Sequence, residues 1–312
     1  MELRQLEALI GIADHHSFSN AADILGTVQS NISNRISKLE QELGSELVDR
    51  TTGQLTEYGE IVVQRARRIF TEIRGIGADV SELTSDIRGE VHLGMIGTAG
   101  RWIVPLVLEL QRERYPHVAL KISEGTNSSI EPRVVSGQLD LAVLAWPIAA
   151  PELSELELFT EDLVLIVPKN HPLTKEKLPL PFAKVAEQEL LLPMIGTPIR
   201  KEIDEAAAKA NVILRPLIEL DGLRTIASLT FDGYGLAILP ETMLAKYPRV
   251  NFEGLPISGI ERRRAVLAIR RFGFPSAPVR AIQGLLQEIM NENHTPEGVY
   301  VPSTATSHTT TN

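Results

Sequence analysis

Along the first third of the chain, apolar residues recur every three or four positions. From Leu3 to Asp14, residues Leu6, Leu9, Ile10 and Ala13 fall on one face, which predicts a helix. His15-His16-Ser17-Phe18 breaks the period, and Ser17 or Ser19 can cap a short second helix over Asn20–Leu25. Gly26-Thr27 makes a tight turn. A third helix from about Val28 to Leu43 would bury Ile32, Ile36, Leu39 and Leu43. Gly44 would end it, because glycine takes the left-handed conformation just past a helix without a Cβ penalty. Leu47–Arg50, a turn at Thr51-Thr52-Gly53, and Gln54–Thr56 predict a small two-stranded wing.

From Tyr58 to Ile87 the period becomes seven. Val62, Ile69, Ile76 and Leu83 form one row, and Ala66, Ile73, Val80 and Ile87 a second row offset by four. This is a coiled-coil seam, and it predicts a linker helix over 59–88 that pairs two copies of the chain. Gly75 and Gly77 each weaken such a helix by about 1 kcal/mol, so a partner compensates or the helix bends there.

Beyond Arg88 strand and helix patterns alternate. Strands are expected at Val91–Ile96, Val118–Ser123, Leu139–Ala145, Leu163–Val167, Leu190–Leu192, Leu217–Leu220, Leu236–Leu239 and Ala265–Ile269. Helices are expected at Ile103–Arg114, Ile130–Ser136, Ile199–Ala210, Leu223–Phe231 and Val279–Met290. Such alternation implies an α/β domain with mostly parallel sheets and helices on both faces. Residues 293–312 are rich in Thr, Ser and Pro without period, and read as a disordered tail.

Composition narrows the function. A chain of 312 residues with 43% hydrophobic content suggests about two packed domains. No apolar run reaches the roughly 20 residues of a membrane helix, and Met1–Leu6 lacks a leader pattern, so a cytoplasmic protein without membrane contact is expected. The sequence has no cysteine, which excludes disulfides, thiolate metal sites and a thiol redox switch. Its seven histidines are scattered, and the one close pair, His15-His16, does not share a helix face, so no metal is expected. Net charge is −9, and the first sixty residues hold four basic against ten acidic groups. Nucleic-acid binding there requires the cations to share one face.

The N-terminal pattern is that of a helix-turn-helix, with Ala22 where two helices cross, Gly26 in the turn, and a polar second helix. Gln29, Ser30, Ser33, Asn34, Arg35, Ser37 and Lys38 line its outward side. Gln and Asn suit adenine, Arg suits guanine, and Ser suits bases or phosphates. The plain alternative is a solvated helix face. The wider stretch decides between them. Leu3-Arg4-Gln5-Leu6-Glu7-Ala8-Leu9, Ser17–Ala22, Gln29–Ser33, Leu39–Gly44 and Leu55–Gly59 resemble the DNA-binding module of LysR-type transcriptional regulators. The resemblance continues into Gly137–Ala142 and Gly233–Pro240, covering the chain to about residue 290. It departs at Val48, at a wing without a basic residue, and at Val28, where a capping Ser or Thr is common and Thr27 is left as the cap.

The resemblance implies a winged helix-turn-helix over 1–58, the linker helix, and a two-lobed effector domain over 89–292 similar to periplasmic binding proteins. Lobe I would span 89–161 and 267–292, and lobe II 162–266. It implies contacts to double-stranded promoter DNA from Gln29, Ser30, Asn31, Ser33, Asn34, Arg35, Lys38, Arg50 and Thr51. Dimerisation would use Val62, Ala66, Ile69, Ile73, Ile76, Val80 and Leu83, giving a dimer or tetramer that contacts RNA polymerase.

Several polar residues fall where strands give way to helices. Thr98 and Ala99, Thr126 and Asn127, Thr197, Ile199 and Arg200, and Leu223 are the candidates for binding a small effector. Helix N-termini favour carboxylates and phosphates, so an organic anion is the expected ligand, with no other cofactor. The hydroxyls of Thr98, Thr126 and Thr197 would converge on it, helped by Arg200. Gly94, Gly97 and Gly100 do not have the spacing of a dinucleotide loop, and no catalytic cluster stands out. A transporter's solute-binding protein would share the two lobes but has no use for residues 1–60. A metabolic α/β enzyme would need a catalytic cluster that is missing.

Overall fold

The computed structural model describes residues 1–82, 86–244, 251–290 and 295–302. Three helices open the chain, α1 (Leu3–His15), α2 (Phe18–Ile24) and α3 (Gln29–Leu43). His16 ends α1 in the left-handed conformation, and Ser17 caps α2 by accepting from the Asn20 N–H at 3.3 Å. Gly44 ends α3 at φ 70°, as its position predicted. Leu6, Leu9, Ile12, Ala22, Ile32, Ile36 and Leu39 pack as one core, while Leu43, the last residue of α3, is 42% exposed. A Cβ on Gly11 would lie 3.2 Å from that of Ala21, so a glycine and an alanine together let α1 and α2 cross closely. Val48 bridges Leu55 in the wing.

The linker helix α4 (Glu57–Glu82) follows without a break at Gly75 or Gly77. Its first turns seat Val63 and Ala66 in the core of the helix-turn-helix. Farther along, Arg68 donates to the Val135 carbonyl at 3.1 and 3.2 Å, and Asp79 accepts the Ala277 N–H at 2.9 Å.

The remainder forms two α/β lobes. Lobe I contains β1 (Gly89–Ile96), α5 (Gly97–Arg114), β2 (Val118–Gly125), α6 (Asn127–Val135), β3 (Leu141–Ala145) and β4 (Leu153–Glu161). Lobe II contains β5 (Leu163–Pro168), β6 (Leu180–Pro181), α7 (Phe182–Ala186), β7 (Glu189–Pro193), α8 (Pro198–Lys209), β8 (Arg215–Leu220), α9 (Leu223–Phe231), β9 (Ala237–Pro240) and β10 (Phe252–Ser258). The chain then returns to lobe I through β11 (Arg263–Arg270), α10 (Ala277–Ile289) and β12 (Val299–Tyr300). Lobe I is a six-stranded sheet in the order β12-β4-β11-β3-β1-β2, and lobe II has a four-stranded sheet, β6-β10-β5-β9, beside the pair β7-β8.

The sheets are mixed, not mostly parallel as alternation suggested. β1 pairs in parallel with β2 and β3, whereas β11 runs antiparallel to both β3 and β4, and β5 antiparallel to β9 and β10. Parallel neighbours need a crossover connection within the lobe, but β4 leaves for lobe II and β11 returns from it, and the two pair antiparallel with each other. Two strands, β4 and β10, gave little sequence signal, and β11 was expected only from Ala265 on. Glutamates break the alternation of β4, Gly254 and Pro256 interrupt β10, and Arg263-Arg264 hide the start of β11. The second lobe boundary therefore falls at Arg263 rather than at 267. The tail is corrected too. Val299-Tyr300 pairs with Glu161-Thr160 at the sheet edge, and the Tyr300 hydroxyl donates to Asp162 at 2.8 Å, so this part of the tail is a strand of the lobe I sheet. Residues 293–294 and 303–312, and Leu83, lie outside the described residues.

Candidate DNA-reading surface and effector cleft

Helix α3 turns Ile32, Ile36 and Leu39 inward, which leaves the intervening residues outside. Gln29, Ser30, Asn31, Asn34 and Lys38 are exposed, and Ser33 and Arg35 are half-buried along the same surface. The helix starts at Val28 without a side-chain cap. Thr27 does not supply one; its hydroxyl instead accepts from the Asn31 amide at 3.0 Å. The first N–H groups of α3 thus face outward with the partial positive charge of a helix start.

Arg50 is not free for phosphate. Its guanidinium donates to Ser33 at 3.0 Å, Ser37 at 3.1 Å and the Glu40 carboxylate at 2.7 Å, and lies 5.2 Å from the Phe18 ring centre. It ties the wing to α3 and occupies the Ser33 hydroxyl. Glu40 also accepts from the Leu47 N–H at 2.9 Å and the Val48 N–H at 3.3 Å. At the wing turn the Asp49 carboxylate accepts the Thr51 and Thr52 N–H groups, which hold it below the usual carboxylate range. Thr51 is exposed at that tip. Arg35 and Lys38 are the remaining cations of α3.

On α4 the predicted seam divides. Ala66 is fully buried in the helix-turn-helix core and is not available to a partner helix, and Val62 is half-buried against that core. Ile69, Ile73, Ile76 and Val80 are 38%, 39%, 65% and 61% exposed. Ile61 is exposed as well, although it stands outside the heptad rows.

Between the lobes lies a cleft of about 980 Å³, at the carboxyl ends of β1 and β2 where open α/β sheets bind ligands. Its walls bring together Thr98, Thr126, Asn127, Thr197, Ile199 and Leu223 from the predicted set. The hydroxyls do not converge as expected. Thr98 accepts from Arg263 at 2.6 Å, Thr197 donates to the Met194 carbonyl at 2.9 Å, and Thr126 lies 2.9 Å from the Ser128 hydroxyl. Asn127 is committed to the backbone, donating to the Ala145 carbonyl at 2.6 Å and accepting from its N–H at 3.1 Å.

Two candidates fall away from the cleft. Ala99 is buried in the core of lobe I. Arg200 donates to Asp204 at 2.8 Å and to the Pro193 carbonyl at 2.8 Å, and pairs with Glu219. Those partners neutralise it behind α8. What faces the cleft instead is a set of helix starts. α5, α8 and α9 all begin there without side-chain caps, leaving N–H groups toward the space.

The cations on the cleft wall are Arg224 and Arg263. Arg263 is 2% exposed and paired with Glu161, which is 1% exposed. Arg224, the second residue of α9, is 61% exposed and pairs with Glu124 of β2 from the opposite lobe. The sequence signal for Arg224 was its place one residue beyond the predicted helix start at Leu223. Glu202 on α8 is a further group missed. One of its oxygens is buried without a partner, and burial pushes its carboxyl up to about 7.

No group of His, Asp and Glu able to hold a metal occurs among the described residues, and none of their helices is long and apolar enough to cross a membrane.

Comparisons with known proteins match this division of the chain. The bacterial regulatory helix-turn-helix protein, lysR family, matches residues 3–60, and the LysR substrate binding domain matches residues 84–291. The chain is 30% identical over 298 residues to a probable hydrogen peroxide-inducible genes activator of Streptomyces viridosporus, covering 93% of this chain and 95% of the relative. Its fold matches a cysteine-substituted form of full-length OxyR from Pseudomonas aeruginosa with a TM-score of 0.73 at 24% identity, over 93% and 94% of the two chains. It also matches full-length CbnR complexed with its target DNA, with a TM-score of 0.66 at 22% identity, over 93% and 100% of the chains. Matched in both its DNA-binding and its effector-binding parts, the chain belongs to the LysR family: it is a DNA-binding transcriptional regulator with an effector-binding domain, and not an enzyme.

Proposed function

We propose that this regulator reads a palindromic promoter site through α3 and responds to a small organic anion held between its lobes. The cleft is the observation that carries the reading. Three uncapped helix starts and the exposed cation Arg224 face one space large enough for a metabolite. Thr98, Thr126, Asn127, Thr197, Ile199 and Leu223 shape the walls. DNA contacts come from Gln29, Ser30, Asn31, Ser33, Asn34, Arg35 and Lys38, with Thr51 at the wing tip. Arg50 supports them by holding the wing. That CbnR is described in complex with its target DNA supports the same use of this module here.

Two copies pair through Ile69, Ile73, Ile76 and Val80, which places two recognition helices on successive turns of DNA. A dimer of dimers extends this to a longer site. The protein works in the cytoplasm beside RNA polymerase. An effector that prefers one lobe arrangement shifts the assembly toward it by no more than its differential affinity. The linker helices then alter half-site spacing.

The peroxide response named for the Streptomyces relative does not pass to this chain through thiol oxidation, because the sequence contains no cysteine to oxidise. A thermal-shift screen of organic acids, amino acids and sugars tests the effector class, since a ligand bound only by the folded state raises its melting temperature. Stabilisation by neutral sugars alone would refute the anion reading. A gel shift with the chain's own upstream region tests the DNA reading.

A further inference from the structure

The cleft already contains a carboxylate, and it belongs to the protein. Glu124, at the end of β2 in lobe I, faces Arg224, at the start of α9 in lobe II. The contact has two points, Nε to Oε1 at 3.1 Å and Nη1 to Oε2 at 3.1 Å. The same carboxylate lies over the first turn of α5. A Cβ on Gly97 would stand 2.3 Å from Glu124 Oε1 and 3.6 Å from Arg224 Cδ, so a glycine is what leaves the group its place. Glu124 therefore rests on both features that favour an anion here, the cation and the uncapped helix start.

We infer that Glu124 is a resident counter-ion, and that the effector is a carboxylate that takes its place on Arg224. This rests on the reading of the cleft as an anion site. The other charged groups on the cleft wall are Arg263, Glu131 and Asp221, and of the two cations Arg224 is the one to contest. Arg263 is buried on Glu161 and Thr98. Glu131 is occupied by the N–H groups of Ala149 and Ala150, at 2.9 and 3.1 Å. Arg224 is 61% exposed and Glu124 38%, and ion pairs in water are weak, so an incoming carboxylate can displace the internal one. The exchange also breaks a link between lobes, because its two ends belong to different lobes. Binding is thereby coupled to lobe position without any further contact. The internal carboxylate sets a threshold, since the effector must outcompete it before the lobes are released.

The experiment is calorimetric titration of the full-length protein with benzoate, succinate and citrate, together with melting curves. Three variants separate the possibilities: Glu124→Gln removes the competitor's charge, Gly97→Ala crowds it off the helix start, and Arg224→Gln removes the cation. The expected result is carboxylate binding by wild type, tighter by about two- to fivefold in Glu124→Gln and in Gly97→Ala, and lost in Arg224→Gln. If carboxylates bind wild type and are lost in Arg224→Gln, yet bind both other variants no more tightly, the resident counter-ion is refuted and the anion site stands. If Arg224→Gln binds as wild type does, the inference is refuted. If none of the three acids binds wild type or Glu124→Gln, the anion reading and the inference fall together.

Discussion

Arg263 at the start of β11 stands directly across the ladder from Glu161 at the end of β4 and donates to it from Nε at 2.8 Å. Both residues lie where the chain passes between lobes. Arg263 also donates to Thr98 at 2.6 Å, and Thr242 of lobe II donates to the second Glu161 oxygen at 2.7 Å, so neither buried charge is left without partners and Glu161 is held from both lobes. Leaving one such charge without its partner costs about 3–5 kcal/mol. Glu161→Leu and Arg263→Leu are each expected to lower stability by about that amount. Urea unfolding measures it, and a loss below about 1 kcal/mol would show that the pair does not anchor the crossing. The double variant Glu161→Leu with Arg263→Leu should recover much of the loss, because no charge is then stranded.

Arg35 and Lys38 carry the charge of α3, while Arg50 is spent on Ser33, Ser37 and Glu40. Arg35→Ala should weaken binding to a palindromic site by about 1–3 kcal/mol. Lys38→Ala should reduce the slope of log affinity against log salt by about one. Arg50→Ala should leave that slope unchanged and lower thermal stability slightly. Fluorescence anisotropy at several salt concentrations checks all three. A slope change in Arg50→Ala as large as in Lys38→Ala would place Arg50 on phosphate after all.

Dimerisation should depend on the exposed part of α4 alone. Ile69→Asp with Ile73→Asp should give folded monomers by light scattering, because both residues face solvent in one copy. Ala66→Asp should instead unfold the helix-turn-helix, where Ala66 is fully buried. A variant at 69 and 73 that keeps the wild-type mass would move the interface elsewhere.

Glu202 makes stability depend on pH. Its carboxyl is pushed from 4.5 up to about 7 chiefly by burial, opposed by Arg263 and reinforced by Glu161 and Glu205. Between those values the unfolded chain gives up the proton and the folded chain keeps it. Stability therefore falls as pH rises from about 4.5 to 7, by an amount on the order of 3 kcal/mol, and this contribution is flat above. Glu202→Gln should remove the fall and exceed wild type in stability at pH 8. Urea midpoints of the two proteins at pH 5 and pH 8 give the comparison, and curves that run parallel would rule the group out.

Thr126 closes the start of α6, where its N–H donates to Ser129 Oγ at 3.0 Å and its hydroxyl lies beside Ser128. Thr126→Val is therefore expected to cost about 1 kcal/mol of stability as a lost helix cap. Calorimetric titration should find its affinity for an identified effector little changed. A large loss of affinity with unchanged stability would return the hydroxyl to the ligand.

The sequence by itself determined much of what rests on local period, although Leu43 of the inward row is exposed and Ala66 of the heptad rows is buried in the helix-turn-helix. The inward row Ile32, Ile36 and Leu39 fixed which side of α3 faces out, because 3.6 residues per turn leave no other arrangement. Gly44 ended that helix where it stands, and the loops before α6, α8 and α9 were visible as polar residues preceding apolar runs. Tertiary structure alone decided which charges meet. Glu161 and Arg263 are 102 positions apart and Glu124 and Arg224 are 100 apart, so no local pattern pairs them. For the same reason Arg200 looked free in sequence although Glu219, across a strand, holds it. Strand β4 and the first two residues of β11 were hidden because their glutamates and arginines look solvated until the fold supplies partners from far along the chain. A charge shows no period, and its cost of burial is met only by a group that the fold delivers from far away.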